Sequence, residues 1–437
     1  MSSWWENARR EAESQVIRSL VQSNMSGVRG GKRWRAACLA GSVLALLPLL
    51  GLAQVAPTYT IATAVGNGTA GFTGDGGAAT SAELNYPTGI AFDSSGNLYI
   101  ADHINHRIRK VDTSGNITTI AGDGTLGDTG DSSAATSAEL DSPCGVAVDS
   151  SGNVYIADTL NHVIRKVAGG TITTFAGDHT LGSGYAGDTA AATSAQLDSP
   201  VGIVVDSKGN VWIADSGNNV IREVTTDGNI NTIVGNSYAD YGGDGGPAVA
   251  SSLNHPLGLA LDAAGDLFIA DQLNQRIRKV AATNGVITTT SIITTVAGNG
   301  IFGSKGSGDL AVNAGLLDPS WVAVDSAGNL FITDLVNNIV RRVAAADGTI
   351  ATVAGNGQFG VYGDGGPALQ AAITFPLSVA VNAAGKVYIA QGENNVIRVL
   401  TPVATTGSGA RRHGIRSIEV LPRPRTESPL ASTIEGQ

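Results

Sequence analysis

Residues 87–122 read P-T-G-I-A-F-D-S-S-G-N-L-Y-I-A-D-H-I-N-H-R-I-R-K-V-D-T-S-G-N-I-T-T-I-A-G, and this stretch returns five more times in the chain. Its leading proline falls at Pro87, Pro143, Pro200, Pro256, Pro319 and Pro376, with spacings of 56, 57, 56, 63 and 57. An arginine near the end of the unit keeps the same five spacings, at Arg109, Arg165, Arg222, Arg278, Arg341 and Arg398. Two markers in step establish an internal repeat, and a period above about 50 residues points to a propeller or an array. In the first copy the pattern predicts four short antiparallel strands, over 89–93, 98–102, 107–111 and 117–121, with turn residues between them. The turn Asp93-Ser94-Ser95-Gly96-Asn97 recurs as D-x-x-G at Asp149, Asp206, Asp262 and Asp325, and becomes Asn382 in the sixth copy. An aspartate there folds its side chain back onto the turn, and the glycine supplies a positive φ. No repeat sustains a 3.6-residue period, so helices are expected only as short turns.

The segments P-x-G-[IVL]-A-[FVL]-D, G-N-[LV]-Y-I-A-D and N-x-x-I-R-K-V, carried over roughly residues 58–400, resemble NHL repeats. That resemblance implies a six-bladed β-propeller of a secreted bacterial type. The physical reading agrees. A single four-stranded sheet cannot bury its faces alone, and six closed into a ring cover one another. The fold class is therefore all-β, a six-bladed β-propeller of four-stranded antiparallel blades. The last unit ends at Val399-Leu400 without a fourth strand, while an orphan copy of that strand occupies 59–66. This N-terminal strand is expected to complete the sixth blade and close the ring.

Three segments follow: a leader over 1–53, the propeller over 54–400, and a tail over 401–437 expected to be disordered. Within the leader, residues 36–53 are apolar and follow Arg29, Lys32, Arg33 and Arg35, with Gly51 and Ala53 suiting cleavage before Gln54. That layout is a secretory signal, with Met25 as an alternative start. Read instead as an uncleaved anchor, the 18 apolar residues would just span a bilayer. Either way the propeller is expected to be secreted, periplasmic or at the cell surface, with membrane contact only through 36–53 if the leader is kept.

The whole chain carries a formal charge of −10. The ring alone holds 15 basic against 31 acidic residues, a net −16. Neutralising phosphates needs a basic face, so nucleic acid is excluded as a partner. Of the two cysteines, Cys38 lies in the leader and Cys144 stands alone in the ring, reading as a small buried apolar residue. Ring closure must then come from packing and strand pairing.

The connections between successive units are themselves repetitive. A Gly-Asp pair places aspartates at Asp75, Asp131, Asp188, Asp244, Asp309 and Asp364, and an apolar residue sits three before each proline, from Leu84 to Ile373. Between them lies an alanine-rich piece expected to make one or two helical turns. The aspartate is expected to fix the glycine-rich turn or to cap that helix, and the leucine to plug the connection onto the ring. One carboxylate per loop falls short of the six to eight oxygens of a calcium site. Blade four carries seven extra residues around 284–295, expected to lengthen the hairpin between its third and fourth strands.

In a repeat, what recurs builds the blade and what varies marks a site. The segment D-x-x-N-x-x-I-R recurs with Asp102, Asp158, Asp215, Asp271 and Asp334 before the six arginines, and reads as a packed ion-pair network. Strand alternation puts the second-to-third connection on the same face as the long connections. His103, Asn105, His106, Asn161 and His162 are thus binding-face candidates. His106 and His162 share one position, which holds Asn219, Gln275, Asn338 and Asn395 elsewhere. Some related propeller lyases hold a metal with histidines from separate blades, but catalytic zinc wants three protein ligands. No cofactor is therefore assigned; a divalent metal stays the minor alternative, and the position reads first as a polar loop residue. No nucleophile elbow, H-E-x-x-H or phosphate-binding glycine motif occurs. The expected function is a binding or scaffold module for protein or polysaccharide. The alternatives are a metal-dependent lyase or lactonase and a tethered extracellular sensor.

Overall fold

The computed structural model describes residues 57–403; the leader's signal or anchor segment and almost all of the tail lie outside the described residues. Six antiparallel sheets follow one another around a ring. Blade one comprises Pro87–Phe92, Leu98–Asp102, Arg107–Val111 and Ile117–Ala121, from the inside outward. The other blades repeat this, blade three for example with Pro200–Val205, Val211–Asp215, Val220–Val224 and Asn229–Val234. The second, third and fourth strands of blade one match the sequence reading. The first begins two residues earlier, at the proline, with a register shift between Pro87 and Ile90.

Tyr59–Val65 is the outermost strand of blade six, paired antiparallel with Val396–Pro402 from Tyr59 opposite Pro402 to Val65 opposite Ile397. The two ends of the ring are thus hydrogen-bonded in a single sheet, and the last strand runs two residues past the expected end. Tyr59 and Ile61 are buried in the cluster shared with blade five, and Val65 in the cluster shared with blade one.

The core is six clusters rather than one, each lying between successive blades. Alternation along strands such as Leu98–Asp102 gives both faces of a blade apolar side chains, and each face meets its neighbour. Leu84, Leu140, Leu197, Leu253, Leu316 and Ile373, from the connections, are wholly buried, one in each cluster. A buried leucine stabilises by roughly 1.5–3 kcal/mol, so these six plugs fasten the connections firmly.

The inner strands meet backbone to backbone. Gly89 N–H donates to Cys144 O of the next blade at 2.7 Å. A Cβ added to Gly89, Gly145, Gly202 or Gly258 would lie under 3.0 Å from the following inner strand, which explains the glycine in P-x-G. Each D-x-x-G turn is closed as expected: Asp93 Oδ1 accepts from Ser95 N and Asn97 N, both at 2.9 Å. Asn382 holds the same two bonds at 3.0 Å, so the sixth blade keeps the turn without the charge.

Each connection runs along the outer edge of the blade it leads into. It adds the short strands Ser133–Ala134 and Ala190–Ala191 to blades two and three, and single bridges such as Ala78 to Asn116 elsewhere. Edge strands are thereby covered, which blunts sheet-to-sheet aggregation. The alanine-rich pieces make one 3₁₀ turn each, such as Ala79–Ser81. Among the described residues no helix is long and apolar enough to cross a membrane.

Candidate binding face

Asp102 ends the second strand of blade one, and Asn105 ends the 3₁₀ turn that follows it. Arg109 lies in the third strand, back across the hairpin, and all three side chains meet. Arg109 Nη1 lies 3.2 Å from Asp102 Oδ2, Asn105 Nδ2 donates to the same oxygen at 2.8 Å, and Asn85 N donates to Asp102 Oδ1 at 2.7 Å. Arg109 Nη2 reaches Asp75 Oδ1 at 2.7 Å, and Asp75 Oδ2 accepts from Thr119 N at 3.1 Å. Arginine, inner aspartate and outer aspartate thus bind three strands and the incoming connection together. The same constellation surrounds Arg165 with Asp158 and Asp131, Arg222 with Asp215 and Asp188, and Arg278 with Asp271 and Asp244. All six arginines are wholly buried. Burial pushes the Asp102 carboxyl up to about 6, and Asp158 and Asp215 up to about 7, against the amides and arginines that hold them down.

Two expectations are corrected. The connection aspartates do not cap the 3₁₀ turns, whose first residues receive no side-chain cap; they hold the buried arginine and an outer-strand N–H instead. Asp309 does not belong to their set. Ser307 stands 12 residues before Pro319, where the aspartate stands in the other blades, and its Oγ meets Arg341 Nη2 and Thr352 N, both at 3.4 Å. In blade six, Asp364 still pairs with Arg398. There Gln391 replaces the inner aspartate, with its amide buried and without a hydrogen-bond partner among the described residues.

The histidine position has a physical explanation that the sequence did not reveal. His106, His162, Asn219, Gln275, Asn338 and Asn395 all adopt the left-handed conformation, with φ from 53° to 58°. Each offers an acceptor to the N–H preceding the marker proline of the next blade. His106 Nδ1 accepts from Ser142 N at 3.1 Å, His162 Nδ1 from Ser199 N at 3.0 Å, and Asn219 Oδ1 from His255 N at 2.8 Å. Gln275, Asn338 and Asn395 do the same for Asp318, Phe375 and Tyr86, the last closing the circle. Asn and His tolerate this conformation best among residues with a side chain, and all three residue types carry an acceptor. His103 Nδ1 lies 3.3 Å from Pro143 O and 3.5 Å from Cys144 Sγ. Burial holds its pKa down, at about 4, so it is neutral and donates to the carbonyl. Burial likewise pushes the Cys144 thiol up to about 11. Asn105 and Asn161 donate to Gly71 O and Gly127 O of the connections. The five candidates therefore lie together with the connections, their polar atoms turned into the ring. Among the described residues, no three His, Cys, Asp or Glu side chains converge as a metal site.

The outward surface of this face belongs to the connections. Each of the six carries a large apolar side chain that is more than half exposed: Phe72, Leu126, Leu181, Tyr238, Ile301 and Phe359, with Tyr238 most exposed at 74%. Position-by-position matching of the repeats hides this crown, because the side chain shifts within each connection while remaining exposed.

A family model for the Teneurin NHL domain matches residues 66–129 and 182–242. Over 279 residues the chain is 30% identical to Protein SUPPRESSOR OF QUENCHING 1, chloroplastic, of Arabidopsis thaliana, covering 60% of this chain and 25% of that protein. It is 34% identical over 233 residues to Teneurin-4 of Mus musculus, covering 47% of this chain and 8% of the relative. The chain thus spans a quarter or less of these relatives' length. Among solved structures, an auxiliary nutrient binding protein from Bacteroides ovatus superposes with a TM-score of 0.58 at 15% identity, covering 80% of this chain and 78% of that one. A Bacteroides thetaiotaomicron protein of unknown function gives 0.56 at 18% identity, covering 78% and 76%. At these identities the superpositions show the fold.

Proposed function

Taking the chain as an NHL-repeat six-bladed β-propeller, we propose that it is a binding module whose connection face docks a protein partner. The crown of exposed apolar side chains, one or more per connection, carries this reading. Aromatic and aliphatic anchors surrounded by polar residues are the usual composition of an interface centre. Here they stand on connections fixed by buried leucines and arginines, so little is lost in ordering them on binding. Six positions spread around a ring suit a protein surface better than a single sugar. The ring's net charge of −16 favours a partner with a basic contact surface. The basic and apolar leader supports a partner outside the cytoplasm.

The test is site-specific photo-crosslinking in the producing cell. A benzophenone side chain at Phe359 is expected to give discrete protein adducts. The same group at Ser95, in a first turn on the opposite face, is expected to give none. Adducts from Ser95 alone would place the interface on the wrong side and end this reading.

A further inference from the structure

The insertion in blade four builds a cavity on the face opposite the connections. Residues 281–292 separate Arg276–Val280 from Ile293–Ala297, and this long hairpin leans onto blade three. Lys208 Nζ donates to Gly285 O at 2.7 Å. Between the hairpin and the first turns of blades three and four lies a cavity of about 290 Å³, whose lining includes Trp212, Glu223, Leu261 and Ile287.

Two of these residues break the repeat. Glu223 stands where the other blades have Lys110, Lys166, Lys279, Arg342 and Val399. In blades one, two and four that lysine lies over an aromatic ring of the neighbouring strand, at 5.1–5.6 Å from Tyr99, Tyr155 and Phe268. Blade three has an acid at this position and, directly across the strand pair, the only tryptophan among the six aromatics, Trp212. Glu223 is 9% exposed, and no donor among the described residues bonds its carboxylate. Two further carboxylates line the cavity, each engaged through Oδ1 by its own turn. Asp206 accepts from Lys208 N and Asn210 N, and Asp262 from Ala264 N and Asp266 N. Lys208 is the one cationic side chain in the lining, and its ammonium is held at Gly285. The hairpin itself contributes only Gly285, Val286 and Ile287.

Glu223 lines the cavity largely buried, with no bonded donor among the described residues, and a further cation beside such a carboxylate lowers the cost of burying it. We propose that this cavity binds a small organic cation, a primary ammonium on an apolar stem, with the ammonium on Glu223 and the stem against Trp212, Leu261 and Ile287. The indole face adds attraction for a cation, and the volume suits a stem of a few carbons. A metal ion is not the fit, because hard cations ask for six or more oxygens and the lining brings only three carboxylates, two of them already engaged by their own turns. Burial and the nearby Asp206 charge push the Glu223 carboxyl up to about 7, with Lys208 opposing. Its charge, and with it the binding, is therefore expected to fade as pH falls from 8 to 5.

The probe is n-butylammonium chloride titrated calorimetrically into the full chain, with n-butanol as the neutral counterpart. Expected are saturable binding at pH 8, no binding of butanol, and affinity at least about tenfold weaker at pH 5. Glu223→Gln, which keeps the side-chain shape, is expected to lose the binding while melting like the parent. The pH series on the unaltered protein serves as the second reading, independent of how the variant folds. Equal binding of butanol and butylammonium, no saturable heat, or affinity unchanged between pH 5 and pH 8 would overturn the proposal. Unchanged affinity in a folded Glu223→Gln would overturn it too.

Discussion

Arg222→Ala is expected to lower stability by about 3–5 kcal/mol at pH 8, read as a shift of the urea midpoint without loss of slope. The guanidinium is wholly buried, 3.3 Å from Asp215 and 2.7 Å from Asp188. It also donates to Gln196 O and Ala186 O, at 3.4 and 3.2 Å. Removing it leaves the Asp215 carboxylate buried with one positive neighbour fewer, and that uncompensated charge is the larger part of the cost. The sign with pH follows. Burial already raises Asp215 to about 7, and losing the arginine raises it further. The variant then takes a proton at Asp215 on acidification and sheds part of its penalty. Its deficit is accordingly greatest above pH 7 and smaller near pH 5. An Arg222→Ala chain with the parent's midpoint at pH 8 would falsify the structural role of the repeated arginine.

A chain beginning at Asn67 is expected to fare worse still. It loses the strand Tyr59–Val65 and with it the pairing to Val396–Pro402. It also loses the burial of Tyr59, Ile61 and Val65. At roughly 1.5–3 kcal/mol per buried side chain, packing alone amounts to about 6 kcal/mol, comparable with the whole stability of an ordinary domain. The freed edge of the last strand is an open template for another chain. The expectation is aggregation, or a melting temperature lower by more than ten degrees, compared with a chain beginning at Pro57. Matching melting curves for the two would mean that the ring does not depend on this closure.

The fold was legible because it is written six times. Pro87 and Arg109 recur in step, and the orphan strand near the N-terminus answers a missing strand at the other end. Periodicity fixed three strands of blade one to the residue. What it left open was the purpose of each repeated side chain. Asp75 looked like a turn or cap residue because sequence shows only neighbours along the chain, and its partners Arg109 and Thr119 lie 34 and 44 residues away. Asp309 shares its Gly-Asp context, although Ser307 occupies the equivalent place. His106 reads from sequence as a polar loop residue, with a metal ligand the minor alternative; its left-handed backbone and its bond to Ser142 N–H supply the reason, one requirement met alike by histidine, asparagine and glutamine. Departures from the pattern proved harder to read than the pattern. Glu223 stands in the sequence as an acid where four of the other five blades have a cation, but only the fold sets it beside Trp212 and under the inserted hairpin. The exposed crown is not legible in the repeat because its members sit at shifting positions within the connections.

In the proposed function the repeated residues hold the ring while the connection face binds a partner. Its most direct test repeats the crosslinking from Phe359 in a chain carrying Tyr238→Ser, Ile301→Ser and Phe302→Ser. These side chains are exposed, and surface changes of this kind usually move stability by no more than about 0.5 kcal/mol each. Expected are parent-like melting and loss of the Phe359 adduct. An adduct of undiminished yield from this variant would contradict the proposed function.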